Sequence, residues 1–253
     1  MESSHQMVVS ARHIQRVLAV LSGLAVTIFV SSDAWCAGAA YAVDTAEVSE
    51  IGSCKVESWV SSAGNHDFIA AVTPACVLSL GRPVEVSVQL NRARSDEEWT
   101  TGATPKLKTN LVPSGIGTWG VAVAAGGSFD LITRENTGAF AYVPATLRLS
   151  ENARINLNGG WQWDRVVDRH YLLYGAGFDL RTSDNIWTLT GELFGLAGVA
   201  DVSSITQPRF QVGLRFRPVD RFNVDLIYGR NLTGESANWI TIATVIRFPP
   251  PGK

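Results

Sequence analysis

Three features of this 253-residue chain predict an all-β fold, an up-and-down antiparallel transmembrane β-barrel of about 12 strands. Apolar and polar residues alternate with a period of two in segment after segment from Val84 onward, the mark of strands with two unlike faces. The connections are tight and polar at one end of the segments and generally longer at the other, as a meander of this kind requires. Beyond the N-terminus no apolar run approaches the roughly 20 residues of a spanning helix, so if the mature chain crosses a membrane it must do so as a closed barrel.

Composition agrees. The chain is 46% apolar and 17% charged, long enough for a large domain and too apolar for disorder. Lys55, Lys106, Lys108 and Lys253 are the only lysines among 21 basic residues, and Gly, Thr, Asn and aromatic residues abound where a helical protein carries Ala, Glu, Lys and Leu. The 21 basic and 23 acidic residues leave a formal charge of -2, with no footprint for a nucleic-acid partner.

The first element is an address. Arg12 and Arg16 precede the apolar stretch Val17–Val30, and the small residues Ala37, Gly38, Ala39 and Ala40 follow. A basic head, an apolar run too short to span and an Ala-x-Ala site make residues 1–39 a cleaved signal peptide, with the cut after Ala39 or after Ala42. Asp33-Ala34-Trp35 before Cys36 lacks the small and aliphatic residues of a lipoprotein site. Residues 40–53 form a periplasmic N-terminal segment, of which 43–53 are either a plug for the lumen or simply a tail. The barrel proper occupies 54–248, and 249–253 are a periplasmic tail.

The first hairpin pairs Lys55–Ser61 with Asp67–Leu80 across Ser62-Ala63-Gly64-Asn65-His66, and Thr73-Pro74 predicts a bulge or kink in its second strand. Removing the leader leaves Cys54 and Cys76, an even count in an exported chain. Opposed residues of a hairpin have a constant index sum, and a turn centred on Asn65 sets Cys54 facing Cys76. That places their Cα atoms within disulfide range and predicts the bond.

Ten further strands are expected at about 84–92, 106–112, 118–131, 138–149, 154–164, 170–181, 186–195, 208–217, 221–230 and 238–248. Phe210, Val212, Leu214 and Phe216 against Gln211, Gly213, Arg215 and Arg217 illustrate the alternation. Pro, Gly, Asn and Asp supply turn dihedrals at Gly81–Pro83, Pro113–Gly117, Ser150–Ala153, Thr182–Asn185 and Pro218–Asp220. The longer links are Ala93–Pro105, Ile132–Thr137, Arg165–Arg169, Leu196–Gln207 and Asn231–Ala237. Twelve is an even number, which puts both termini on one side.

Alternation alone does not separate a membrane barrel from a soluble sandwich. Strands of mostly ten or more residues, against about five or six in soluble sheets, favour the membrane. So do aromatic residues near strand ends, among them Trp119, Trp161, Trp163, Tyr171, Trp187 and Trp239, suited to interfacial girdles. A terminal aromatic strand is the third indication.

That last strand carries a resemblance. Trp239-Ile-Thr-Ile-Ala-Thr-Val-Ile-Arg-Phe248 is similar to the C-terminal targeting strand of Gram-negative outer-membrane barrels, although Pro249-Pro250-Pro251-Gly252-Lys253 follows where such chains usually end on the aromatic. More loosely, Lys106–Phe248 resembles barrels grouped with transporters of the phenol-degradation pathway type. The resemblance implies export to the outer membrane, outer-membrane lipid as the outer neighbour, and recognition by the assembly machinery through the strand that ends at Phe248.

With the apolar row facing lipid, the inward row includes Glu85, Lys106, Lys108, Asp130, Arg148, Asp164, Asp179, Arg181, Glu192, Arg209, Arg215, Arg217, Asp225 and Arg247. The densest group, Arg209, Arg215 and Arg217 with Asp225 and Glu192 on the flanking strands, joins Asp179 and Arg181 as a candidate constriction selecting small polar or anionic solutes. The same charges also serve as mutual partners filling the interior. Twelve strands lie between the side-chain-filled 8-stranded barrel and the open 16-stranded porin, so the expected pore is narrow or plugged.

Non-conducting surface display and a barrel hydrolase are the other functions open to such a chain. His66 beside Asp67 and His170 after Asp168-Arg169 are the only histidines of the mature chain, and neither sits in a recognisable catalytic motif, so no enzyme activity is expected. No Cys/His cluster has metal-ligand spacing, and no cofactor is expected. Gly126-Gly127 and Gly175-Ala176-Gly177 lack a following helix and are read as barrel bends.

Overall fold

The computed structural model describes residues 40–95, 97–198, 206–233 and 237–250. The expected signal peptide, residues 1–39 with Cys36, lies outside the described residues, as does the end of the tail. Twelve strands follow in order: β1 (Cys54–Ala63), β2 (Phe68–Ser79), β3 (Pro83–Ser95), β4 (Glu98–Val112), β5 (Trp119–Asp130), β6 (Glu135–Arg148), β7 (Ala153–Asp164), β8 (Arg169–Arg181), β9 (Trp187–Ala197), β10 (Arg209–Val219), β11 (Phe222–Asn231) and β12 (Asn238–Phe248). Each pairs antiparallel with its neighbour in sequence, and β1 pairs with β12 to close the barrel.

Closure matters because a sheet edge in hydrocarbon leaves N–H and C=O groups with no partner. The seam runs from Cys54 opposite Phe248 to Ala63 opposite Trp239, so the chain enters and leaves the barrel at the same end. That is the end of the short turns, the periplasmic side of such a barrel. Cys54 also faces Cys76 across the first hairpin and is disulfide-bonded to it, with the Cα atoms 4.0 Å apart.

Two local expectations are corrected. The link Ala93–Pro105, read as a long loop, is mostly strand: β3 runs to Ser95 and β4 starts at Glu98, with Arg94 paired to Trp99 and Ser95 to Glu98. The guanidiniums of Arg92 and Arg94 lie 5.1 and 5.7 Å from the Trp99 ring centre and couple the two strands through cation–π contacts. The small and polar run Thr100-Thr101-Gly102-Ala103 has no apolar row by which to show its period. At Thr73-Pro74 there is no bulge. The ladder to β3 lapses there, because proline has no N–H to donate, yet Val72 pairs with Leu90 and Ala75 with Ser87 in one unbroken register.

Exposure alternates along the strands, and every strand adds large apolar side chains to the outer face, from Val60 on β1 and Val72 on β2 round to Leu226 on β11 and Ile242 on β12. A continuous apolar belt of this extent is far beyond what a soluble protein shows to water, so it is the lipid-facing surface. Trp119, Trp161 and Trp187 are exposed near strand ends, as girdle residues are. Tyr171 and Trp239 are not girdle residues. Both have inward parity and are buried, and the Trp239 ring lies over Gly229, its partner across the β11–β12 ladder, where a Cβ would stand 2.2 Å from the indole.

Candidate functional site

The inner face is polar where the outer is apolar. Glu85, Ser87, Lys108, Asn156, Asn158, Asp179, Thr190, Glu192, Gln211, Asn223 and Asp225 are all buried on it. Buried charge is tolerated only when paired or hydrogen-bonded, and this wall is laced accordingly. The Asp225 carboxylate accepts from Arg215 Nε across the β10–β11 ladder at 2.6 Å and from Asn223 Nδ2 at 2.6 Å. Asp179 accepts from Arg154 Nε and Thr190 Oγ1, both at 2.6 Å. Lys55 bridges Glu57 and Glu85 at 3.2 and 3.5 Å.

Of the residues singled out in the sequence, Asp179, Arg181, Glu192, Arg215, Arg217 and Asp225 all reach the periplasmic half of one cavity of about 1230 Å³. Arg209 stands apart at the opposite end of β10. Glu192 takes no arginine among the described residues; its carboxylate accepts from Gln211 Nε2 at 2.7 Å and from two backbone amides described below. Arg181 and Arg217 converge on Asn185 in the β8–β9 turn, Arg181 donating to the side-chain oxygen at 3.3 Å and Arg217 to the carbonyl at 3.4 Å. Arg247 donates to the Asp220 carbonyl at 3.4 Å.

The partners that sequence reasoning missed come from the N-terminal segment. Plug and periplasmic tail were both open for it, and residues 40–48 lie against the inner wall. Glu47 accepts from Arg148 Nε at 2.8 Å and Arg154 Nη1 at 2.7 Å, with Arg148 Nη2 also in contact. Deeper, Asp44 accepts from Lys108 at 2.7 Å, Lys106 at 3.3 Å and the Tyr142 hydroxyl at 2.9 Å. The Ala42 and Val43 amides donate to Glu192 at 2.9 and 3.3 Å. Tyr41 donates to Asp225 at 3.1 Å under the Arg215 guanidinium, and Ala40, deepest of all, accepts from Gln211 Nε2 at 3.4 Å.

Electrostatics fix the charge states of this segment. Burial alone would raise the Asp44 carboxyl, but Lys106 and Lys108 outweigh it and hold the group well below the usual carboxylate range. Burial is likewise outweighed at Glu47, chiefly by Arg154 and Arg148, so that it too lies below its ordinary value. Burial and the neighbouring Asp225 charge push the Tyr41 phenol up, so it remains a hydrogen-bond donor.

The wall is shaped for the segment. A Cβ at Gly175 would come within 2.9 Å of Val43 Cγ2, and one at Gly213 within 2.6 Å of the Tyr41 hydroxyl. Inward glycines in rows otherwise filled by larger residues were the available signal. The run Gly175-Ala176-Gly177, read as a bend, is a seat for Val43.

Tryptophans engage His170 and Asp168, one of the two His-Asp pairs that the sequence left open. His170 Nδ1 accepts from Trp161 Nε1 at 3.2 Å on the outer face, while Asp168 takes the indole N–H of Trp163 at 3.1 Å. Each member of the pair is engaged by a different tryptophan.

Solved structures of porins share this architecture. The KdgM porin aligns with a TM-score of 0.60 at 9% identity, over 77% of this chain and 99% of that one, and a second structure, KdgM in complex with disordered oligogalacturonate, aligns equally. The NanC porin follows with a TM-score of 0.58 at 9% identity, over 76% of this chain and 98% of that one. At such identity the likeness shows the fold, a porin-like outer-membrane β-barrel. No curated protein sequence matches the chain. The family model described as "Uncharacterised conserved protein UCP029691" matches residues 25–248, nearly the whole length of the chain, which therefore belongs to that family.

Proposed function

We propose that the barrel is a narrow channel for small anionic solutes. The observation that carries this reading is the set Arg181, Arg217 and Arg247, which line one pocket at the periplasmic mouth beside Arg148, Arg154 and Arg215. Among the described residues these three make no ion pair, and their contacts are the turn carbonyls and amide already given. Guanidinium groups with spare donors match carboxylate and phosphate geometry, and a lumen walled by low-dielectric protein strengthens that attraction over its value in water. An arginine cluster at a constriction is a known basis for anion preference. The KdgM complex with oligogalacturonate, an acidic saccharide, is consistent with a barrel of this architecture passing such solutes.

Planar-bilayer recording under a salt gradient tests the reading. The reversal potential is expected on the anion side for the wild type, and Arg181→Glu with Arg217→Glu shifts it toward cations. A cation-selective wild type, or a potential unmoved by the double substitution, overturns it.

A further inference from the structure

We propose that residues 40–49 are an internal plug, seated as a stand-in for an anionic solute and released from the lumen when the pore opens. The proposal rests on the anion-channel reading for the identity of the displaced solute. It does not need that reading for the movement itself.

The segment's two carboxylates occupy two basic seats of the wall. Asp44 takes Lys106 and Lys108, and Glu47 takes Arg148 and Arg154. A carboxylate-bearing solute entering the mouth meets these same donors and competes for them. Inward Gly175 and Gly213, which leave room for Val43 and the Tyr41 hydroxyl, show that the wall is built around this occupant.

The way the segment is held makes release possible. A strand leaves a sheet only by breaking a continuous backbone ladder, whereas residues 40–48 belong to no ladder, and their hydrogen bonds to the wall run through a side chain of one partner or the other. Apolar packing comes from Ala40, Val43, Ala46 and the Tyr41 ring under Arg215, and the rest of the hold is ion pairs and hydrogen bonds. These exchange readily for water and for competing anions. Its base is anchored: Gly52, at a φ of 84°, turns the chain at the mouth and donates to the Val77 carbonyl, next to the Cys54–Cys76 bond. Once the expected leader is cut away, the segment is an arm on a fixed base, a tethered plug.

Two variants of the full-length chain test the proposal in planar bilayers. Deleting residues 40–48 behind an intact leader removes the plug. A Val43→Cys, Gly177→Cys pair locks it, because a Cβ at Gly177 would lie 3.5 Å from Val43 Cβ, within disulfide range. The deletion is expected to raise single-channel conductance several-fold. The oxidised pair is expected to remain at the lowest conductance level and to regain wild-type openings on reduction, with reductant-treated wild type controlling for the native disulfide. A deletion that conducts like the wild type overturns the plug. A locked protein that opens as freely before reduction as after it overturns the release, and this arm decides alone if the deletion fails to assemble. An opened deletion pore that prefers cations overturns the anion reading and leaves the movement to the lock.

Discussion

Asp44 and Glu47 matter for where their charges are. Asp44 faces Lys106 and Lys108 from β4, Tyr142 from β6 and, more distantly, Lys55 from β1; Glu47 faces Arg148 from β6, Arg154 from β7 and the Ser114 hydroxyl. Glu192 from β9 and the Arg215–Asp225 pair hold the neighbouring residues of the segment. Both carboxyls lie below their ordinary values of about 4, so their attraction is fully present above that range and is lost only as pH falls through the lowered values. Single-channel closed times of the wild type should therefore exceed those of an Asp44→Asn, Glu47→Gln variant by the same factor from pH 8 down to about 5, with the gap closing only below about 4. A gap that closes between pH 7 and 6 would contradict the assignment. At this scale facing was legible in the sequence and partnering was not. Parity alone turned Asp179, Glu192, Arg215 and Asp225 inward, whereas the choice of backbone amides rather than an arginine for Glu192 depends on a segment with no periodicity of its own.

At the scale of elements, the β1–β2 hairpin combines three constraints: the disulfide, the closing ladder to β12, and the turn that bases the N-terminal segment. Its register was readable because one residue pair and one turn centre determine every other pair. By loop-closure entropy, a bridge spanning about 22 residues stabilises by about 3 kcal/mol. Replacing both cysteines by serine should lower the temperature at which the folded barrel loses its faster gel mobility, and an unchanged temperature would show that the ladder alone fixes the hairpin. The β3–β4 hairpin was less readable, since its outer half relies on Arg92 and Arg94 packing on Trp99 across the ladder instead of on an apolar row. Tyr171 and Trp239 were misplaced for a related reason: aromatic residues near strand ends suit a girdle, but parity and a facing glycine decide which side they take.

For the molecule as a whole, period-two alternation, even strand number and the bonded cysteines made the barrel legible, because each follows from the geometry of a sheet closed on itself. What fills the lumen was not, since a segment held by scattered polar contacts leaves no repeat to read. The direction in which that segment runs carries a consequence for the leader. It enters at the mouth, and Ala40 is the deepest of its described residues, so a cut after Ala42 would remove the groups that meet Gln211 and Asp225 and one of the two amides that meet Glu192. Mature protein extracted from the outer membrane is expected to begin at Ala40, which intact-mass measurement checks; a chain starting at Val43 would have discarded Tyr41 and its seat beside Gly213. The bond at which the leader is cut would thus set how far the plug reaches into the lumen.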